Sequence, residues 1–369
     1  MRGHGHLGEW GAILQAGSPF ATSPLSRNKE RGSLGNFDRG RLRRPTSRIP
    51  CRLETRVATT MCQWVMLHVL LFFASLALPH RSAAQELRQL TNDPAWDYHP
   101  VFSPSGTEIL FTSRTAESTR LFLVPVAGGA ARRVPVDLTG DLYTDWAPDG
   151  RSIVLDARGG GGPPDIYRYW LESGEVRRLT DHPGMDGHPS FSPSGDRIAF
   201  TSMRSGSLDI WIMDADGRNP VRLTDGSGSD WHPQWAPDGE SVLFTSNRGG
   251  DEDIWVIRRD GTHLRRLTSR QGRDDRGSWS PDGSRVVFGS GGDLWLVDCR
   301  SGELERLTDF PGDEGNPAWS PDGRLIAFAS DRAGTPDIWV LAPTMPPGPV
   351  SNERAFRPQS PPCSLWSER

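Results

Sequence analysis

Between about residue 90 and residue 343 the chain writes one alternation of apolar and polar positions six times. Each copy opens on a short extended run that ends in an aromatic residue: Phe102, Trp146, Phe191, Trp235, Trp279 or Trp319. A tetrapeptide Ser/Ala-Pro-Ser/Asp-Gly follows, in which proline presets its own φ and the final glycine accepts a left-handed backbone, so that a hairpin closes. A second apolar run comes next: Ile109 to Ser113, Ile153 to Ala157, Ile198 to Ser202, Val242 to Ser246, Val286 to Ser290 and Ile326 to Ser330. The third carries an aromatic between aliphatics, as in Ile210-Trp211-Ile212, Ile254-Trp255-Val256 and Ile338-Trp339-Val340. The fourth is Arg-Leu-Thr or close to it, beginning at Arg178, Arg222, Arg266 and Arg306. Short runs of this composition suit strands. The tetrapeptides begin at Ser103, Ala147, Ser192, Ala236, Ser280 and Ser320, in steps of 44, 45, 44, 44 and 40. A period in this range marks a β-propeller blade. The predicted fold is all-β, a six-bladed propeller of four-stranded antiparallel blades.

Two irregularities sharpen the prediction. The short step of 40 has one source: Ala236 to Asp253 spans 17 positions but Ser280 to Asp293 only 13, so blade five has lost four residues between its second and third strands. The last unit also ends at Leu341-Ala342 without an Arg-Leu-Thr, while a lone strand, Glu86 to Thr91, precedes the first unit. That strand is expected to complete blade six and close the ring, which leaves no open edge.

The propeller is expected to occupy residues 85–343. Residues 1–60 are rich in Arg, Gly, Ser and Pro without apolar periodicity, and read as disordered or as a leader assigned upstream of a start at Met61. Trp64 to Leu78 is an almost unbroken apolar run, followed by Ser82-Ala83-Ala84, which fits a signal peptide over 61–84 cut before Gln85. The run is shorter than the ~20 residues of a membrane span, so membrane contact is expected only through an uncleaved leader. Residues 344–369 form a proline-rich tail expected to be disordered. With 42 basic and 46 acidic residues in all, and 12 and 4 of them in residues 1–84, the exported part holds 30 and 42, a net charge of −12. Such a surface repels phosphates and argues against nucleic acid. Two cysteines, Cys299 and Cys363, remain after the leader; a disulfide between them and two free thiols are both compatible with the spacing.

Candidate chemistry repeats with the blades. Six positions before each tetrapeptide stand Asp97, Asp141, Asp186, Asp230, Asp274 and Glu314, and four positions before it His99, Tyr143, His188, His232, Arg276 and Asn316. Six-fold repetition is expected to place both sets in rings at one mouth of the central channel, a polar site for a cation or a basic segment of another protein. The acids have a second reading as fold-building acceptors of loop N–H groups. Three imidazoles invite a transition metal, but blades one, three and four are unevenly spaced around the ring. The expectation is no resident cofactor and at most weak binding of calcium, which oxygen ligands suit. A second repeated pair is Arg158 with Asp165, Arg204 with Asp209, Arg248 with Asp253 and Arg332 with Asp337. These are expected to be hairpin-loop salt bridges, about 0.2–1 kcal/mol each if partly exposed.

The recurring Leu-Thr, acid, Pro-x-aromatic-Ser-Pro-Asp-Gly, aliphatic run, Ser-x-Arg and Asp-Ile-Trp resembles the repeat of TolB-like six-bladed propellers over residues 86–343. This resemblance implies a periplasmic or secreted scaffold that binds a protein, such as an envelope lipoprotein. The family's α/β domain before the propeller has no counterpart between the predicted cleavage point and the closing strand, so a link through such a domain is not expected. Some propellers of this repeat type are metal-dependent polysaccharide lyases, for which His99, His188 and His232 would be ligands, and others accompany peptidases. The chain has no Gly-x-Ser-x-Gly, His-Glu-x-x-His or phosphate loop, which favours a binder over an enzyme. Nothing in the repeat fixes an oligomeric state. Protein recovered from the envelope or medium is expected to begin at Gln85; intact mass reads this directly, and a retained leader would make the protein anchored.

Overall fold

The computed structural model describes residues 87–343, residue 160 excepted. The expected leader, signal peptide and proline-rich tail lie outside the described residues. Every regular element described is a β-strand, and the strands form six four-stranded sheets. Blades one to five each take four strands in chain order, from Trp96–Phe102, Thr144–Trp146, Asp186–Phe191, Asp230–Trp235 and Asp274–Trp279 outward. Blade six has three consecutive strands, Glu314–Trp319, Ile326–Ser330 and Asp337–Leu341, and receives Leu87–Gln89 as its fourth. The expected closure is thus observed, with Leu87, Arg88 and Gln89 antiparallel to Leu341, Val340 and Trp339. The tetrapeptide glycines sit at φ 68–73°, each with its N–H on the carbonyl three residues back, as Gly106 to Ser103 at 2.8 Å.

No blade has a core of its own. Both faces of each sheet are apolar, and six clusters of buried residues each join two neighbouring blades. Second-strand Phe111, Phe200, Phe244, Phe288 and Phe328 are at most 1 % exposed, with Leu155 in the equivalent place in blade two. The closing interface packs Phe102, Ile109 and Phe111 of blade one on Ala327, Ile338 and Val340 of blade six. Cys299 is buried at the interface of blades four and five and is disulfide-bonded, its partner lying outside the described residues.

The repeated Arg and Asp residues do not form the hairpin-loop bridges expected from their spacing. The Asp that opens each third strand instead pairs with the Arg of the outer strand: Asp165 with Arg178 at 2.6 Å, Asp209 with Arg222 at 2.8 Å, Asp253 with Arg266 at 2.5 Å and Asp293 with Arg306 at 2.8 Å. The Thr two residues after that Arg accepts the next third-strand N–H, as Thr224 does from Ile210 at 3.0 Å. Blade six repeats the arrangement with Gln89 in the Arg position. Its Nε2 donates to Asp337 at 2.9 Å, and Thr91 accepts the Ile338 N–H at 2.9 Å.

The Arg after the second strand turns inward. Arg204, Arg248 and Arg332 reach Asp186, Asp230 and Glu314 on their own innermost strands at 2.6, 2.5 and 3.0 Å. Each guanidinium also lies over the blade's Phe and Trp rings, Arg204 at 5.1 Å from both Phe200 and Trp211. These acids are fully buried, so the pairs are interior ones. Removing one arginine strands a buried charge, at a cost of about 3–5 kcal/mol rather than the fraction expected of a surface pair. Arg158 makes no such pair among the described residues. Blade five lost its arginine with its loop; Arg270, from the loop that leads into this blade, lies 3.4 Å over Trp295 in its stead.

Deleting residues 86–91 removes three ladder pairs and the Gln89 and Thr91 bonds, and bares the edge of Asp337–Leu341. The truncated protein is expected to lose cooperative unfolding or to aggregate. Melting identical to the full chain would mean that the ring closes without this strand.

Candidate functional site

The innermost strands approach the channel axis, and a repeated backbone irregularity aims one side chain from each toward it. In five blades the ladder to the second strand slips, as between Gly187 and Ser190 or Trp231 and Gln234. Within each slip one residue is left-handed: His99 (φ 53°), His188 (51°), His232 (53°), Arg276 (55°) and Asn316 (55°). Proline follows four of them, as at Pro100 and Pro189. Non-glycine residues in this region cost on the order of 1–3 kcal/mol and gather at functional sites. His and Asn tolerate it better than most, so backbone preference by itself accounts for part of the imidazole count. Blade two departs from the pattern: Leu142 takes the left-handed place (φ 55°) and is buried, and Tyr143 beside it enters the channel.

These six residues surround one cavity of about 150 Å³. Tyr143 lies at its centre, with ring centroids 3.9 Å from His99, 4.2 Å from His188 and 5.6 Å from His232; His188 and His232 are 4.2 Å apart. Arg276 donates through Nη2 to the Tyr143 hydroxyl at 3.0 Å and through Nη1 to Asn316 Oδ1 at 2.5 Å. The ring expected from sequence is therefore assembled. Its tyrosine stands between His99 and His188, so the three imidazoles do not share a centre, and among the described residues no group of three or more His, Cys, Asp or Glu is arranged to hold a metal ion.

The acids expected beside them do not form a ring. Asp186, Asp230 and Glu314 are buried inside their blades, where Ser202, Ser246 and Ser330 and the three arginines occupy their oxygens. Asp97 and Asp274 are buried too, beside the hydroxyls of Ser113 and Thr91 and of Ser290 and Thr268. Asp141 is exposed on the loop entering blade two. Repetition marked fold-building positions here, with side-chain hydroxyl and guanidinium donors in place of the loop N–H groups foreseen. The negative mouth with oxygens for calcium is not presented by these residues.

Other side chains, unforeseen from sequence, hold the ring. Asp275 accepts from His232 Nδ1 at 2.9 Å and Thr245 Oγ1 at 3.0 Å, with Arg273 at 3.2 Å. Asp156 stands where blades one, three and four have a second-strand threonine, and its two oxygens accept the N–H groups of Tyr143 at 2.8 Å and His188 at 3.0 Å, tying blade two to blade three. Asp145 accepts from Phe191 N at 2.8 Å across the same boundary. The only sequence signal for Asp156 is an Asp-Ala where blades one, three and four have Thr-Ser.

Burial, then Arg276 and the neighbouring imidazoles, hold His99 and His188 well below the usual histidine range; burial also lowers His232 against the pull of Asp275. The three rings are neutral at pH 7. Burial alone would raise the Asp275 carboxyl, but His232, Arg276 and Arg273 together hold it well below the ordinary value. Burial pushes Tyr143 up to about 12, Asp156 to about 7 and Asp145 to about 6.

Six four-stranded blades, closed by an N-terminal strand around a channel with one polar mouth, define a β-propeller of the six-bladed class. The sequence profile of the TolB beta propeller domain matches residues 160–293. A protein TolB homolog of Chlorobium luteolum is 32 % identical over 130 residues, 35 % of this chain and 29 % of the relative. The Tol-Pal system protein TolB of an Anaeromyxobacter species is 31 % identical over 141 residues, 38 % of this chain and 30 % of the relative. Each aligned stretch spans under a third of the relative's own length. The structure of a TolB candidate from Agrobacterium tumefaciens superposes with a TM-score of 0.58 at 27 % identity, over 69 % of this chain and 93 % of that one. The chain thus carries a TolB beta propeller match over residues 160–293 and is similar in fold to a TolB candidate structure.

Asp97 provides a pH test. Burial pushes its carboxyl from an ordinary 3.8 up to about 7. Between those values the folded state binds a proton that the unfolded state has released, so stability is present below the lower value and lost as pH rises to the upper one. Asp97→Asn is expected to flatten melting temperature against pH between about 4 and 7, with a gain over the parent at pH 8 on the order of 1 kcal/mol. An unchanged slope would show that the carboxylate is stabilised in the fold.

Proposed function

We propose that this TolB-like propeller is an exported scaffold of the cell envelope, periplasmic or secreted, whose channel mouth docks a protein partner of the envelope-lipoprotein kind. The observation that carries this is the mouth itself. Six blades hold six side chains of four chemical types in one partly exposed ring, five of them on a left-handed backbone that the cores do not require. The repeat family and the Tol-Pal name of one relative support a binding role in the envelope. Tyr143 between the imidazoles favours recognition over metal-assisted lyase chemistry.

A photo-crosslinking residue at Asn316 in the native host is expected to capture an envelope lipoprotein, and the same residue at the exposed outer-strand position Val221 is not. Equal capture at both positions, or none at the mouth, would defeat the docking reading. A stoichiometric transition metal in purified protein, lost in a His188→Ala, His232→Ala variant, would replace the scaffold by a metalloenzyme.

A further inference from the structure

Among the left-handed mouth residues, Arg276 is the one its backbone does not explain. His and Asn are common at such φ values, whereas a long guanidinium side chain gains nothing from them. Arginine carries five N–H donors and no acceptor. Because it can only donate, the Asn316 amide must turn its oxygen to Nη1 and the Tyr143 hydroxyl must accept from Nη2, at 2.5 and 3.0 Å. Each partner then has donors to turn toward a ligand, the Asn316 NH₂ and the Tyr143 O–H. The three groups thus gather N–H and O–H donors around a permanent positive charge.

Asp275 takes up only part of it. One of its oxygens serves His232 and Thr245, and the other lies 3.2 Å from Arg273 and 3.5 Å from Arg276 Nε, which is buried without a hydrogen-bond partner. Two further carboxyls near the mouth, Asp145 and Asp156, turn their oxygens onto backbone N–H groups. The remaining wall is made of the three imidazoles with proline and small or amide side chains such as Pro100, Pro189, Ser190 and Gln234. A hydrogen bond between a guanidinium and a carboxylate is about twice as strong as a neutral one. The space of about 150 Å³ is half or less of the roughly 300–1,000 Å³ that small-molecule ligands occupy, and suits one inserted side chain. In the adjacent blade His232, donating Nδ1–H to Asp275, leaves Nε2 as an acceptor for a peptide N–H.

We propose that Arg276, Tyr143 and Asn316 form a receptor for a single carboxylate, presented by an Asp or Glu side chain on a peptide segment of the partner. This rests on the docking reading and names the chemistry that the partner offers.

The test titrates the full chain with N-acetyl-Gly-Glu-Gly-amide and with its Gln counterpart, reading the imidazole C–H resonances of His188 and His232. The Glu peptide is expected to give saturable shifts with at least about tenfold tighter binding than the Gln peptide. Arg276→Gln should abolish the preference. Asn316→Asp, which keeps the guanidinium and adds a repelling charge, should abolish it as well, with unchanged melting as the check on folding. Equal affinity for the two peptides, no saturable shift, or a preference that survives Arg276→Gln overturns the carboxylate receptor. The crosslinking experiment stands apart: mouth capture that persists in Arg276→Gln sinks this inference alone, whereas no mouth capture in the parent sinks the docking reading.

Discussion

A blade of this protein cannot bury its own faces. Each sheet is apolar on both sides, so every apolar side chain leaves water only when a neighbouring blade covers it, and six such interfaces exist only if the circle is complete. The short match between Leu87–Gln89 and Trp339–Leu341 therefore carries more than three ladder pairs of energy. It holds blade six against blade one, and through that contact the remaining interfaces in register. The polar groups follow from the same burial. An acid at the start of an innermost strand lands in a dry interior, where it must find a partner, and the arginine from its own second strand is within reach.

The fold was legible because it is periodic. Tetrapeptides in steady steps, an aromatic before each and alternation after it predict strands whose observed bounds differ by a residue or so. The four-residue loss in blade five and the displaced N-terminal strand were readable as deviations from that period. The partners of the repeated charges were not. Arg204 has Asp209 five positions away, yet it pairs with Asp186 eighteen positions back. Proximity along the chain says nothing about which face of the blade each group occupies.

The mouth divides the same way. His99, Tyr143, His188, His232, Arg276 and Asn316 were marked by their offset from the tetrapeptides, and they do converge. Periodicity marked the acids equally well, because it reports position and is blind to whether a side chain leans into the channel or into the sheet. The slip in the ladder, which decides that, depends on a left-handed residue that a sequence does not announce. Asp156 and Asp275 escaped notice for the opposite reason: each occurs in a single blade, so no repetition pointed to it.

The closing strand also sets an order of events. Leu87 leaves the ribosome long before Leu341, and some 250 residues of chain must be made before its partner exists. Joining ends so far apart carries a large loop-closure entropy, and contacts of this range slow folding. Until then blade six and one face of blade one stand open, with a bare strand edge of the sort that pairs with other chains. Completion of the circle is the last step available to the molecule, and the interval before it is when the chain is most exposed to aggregation and proteolysis.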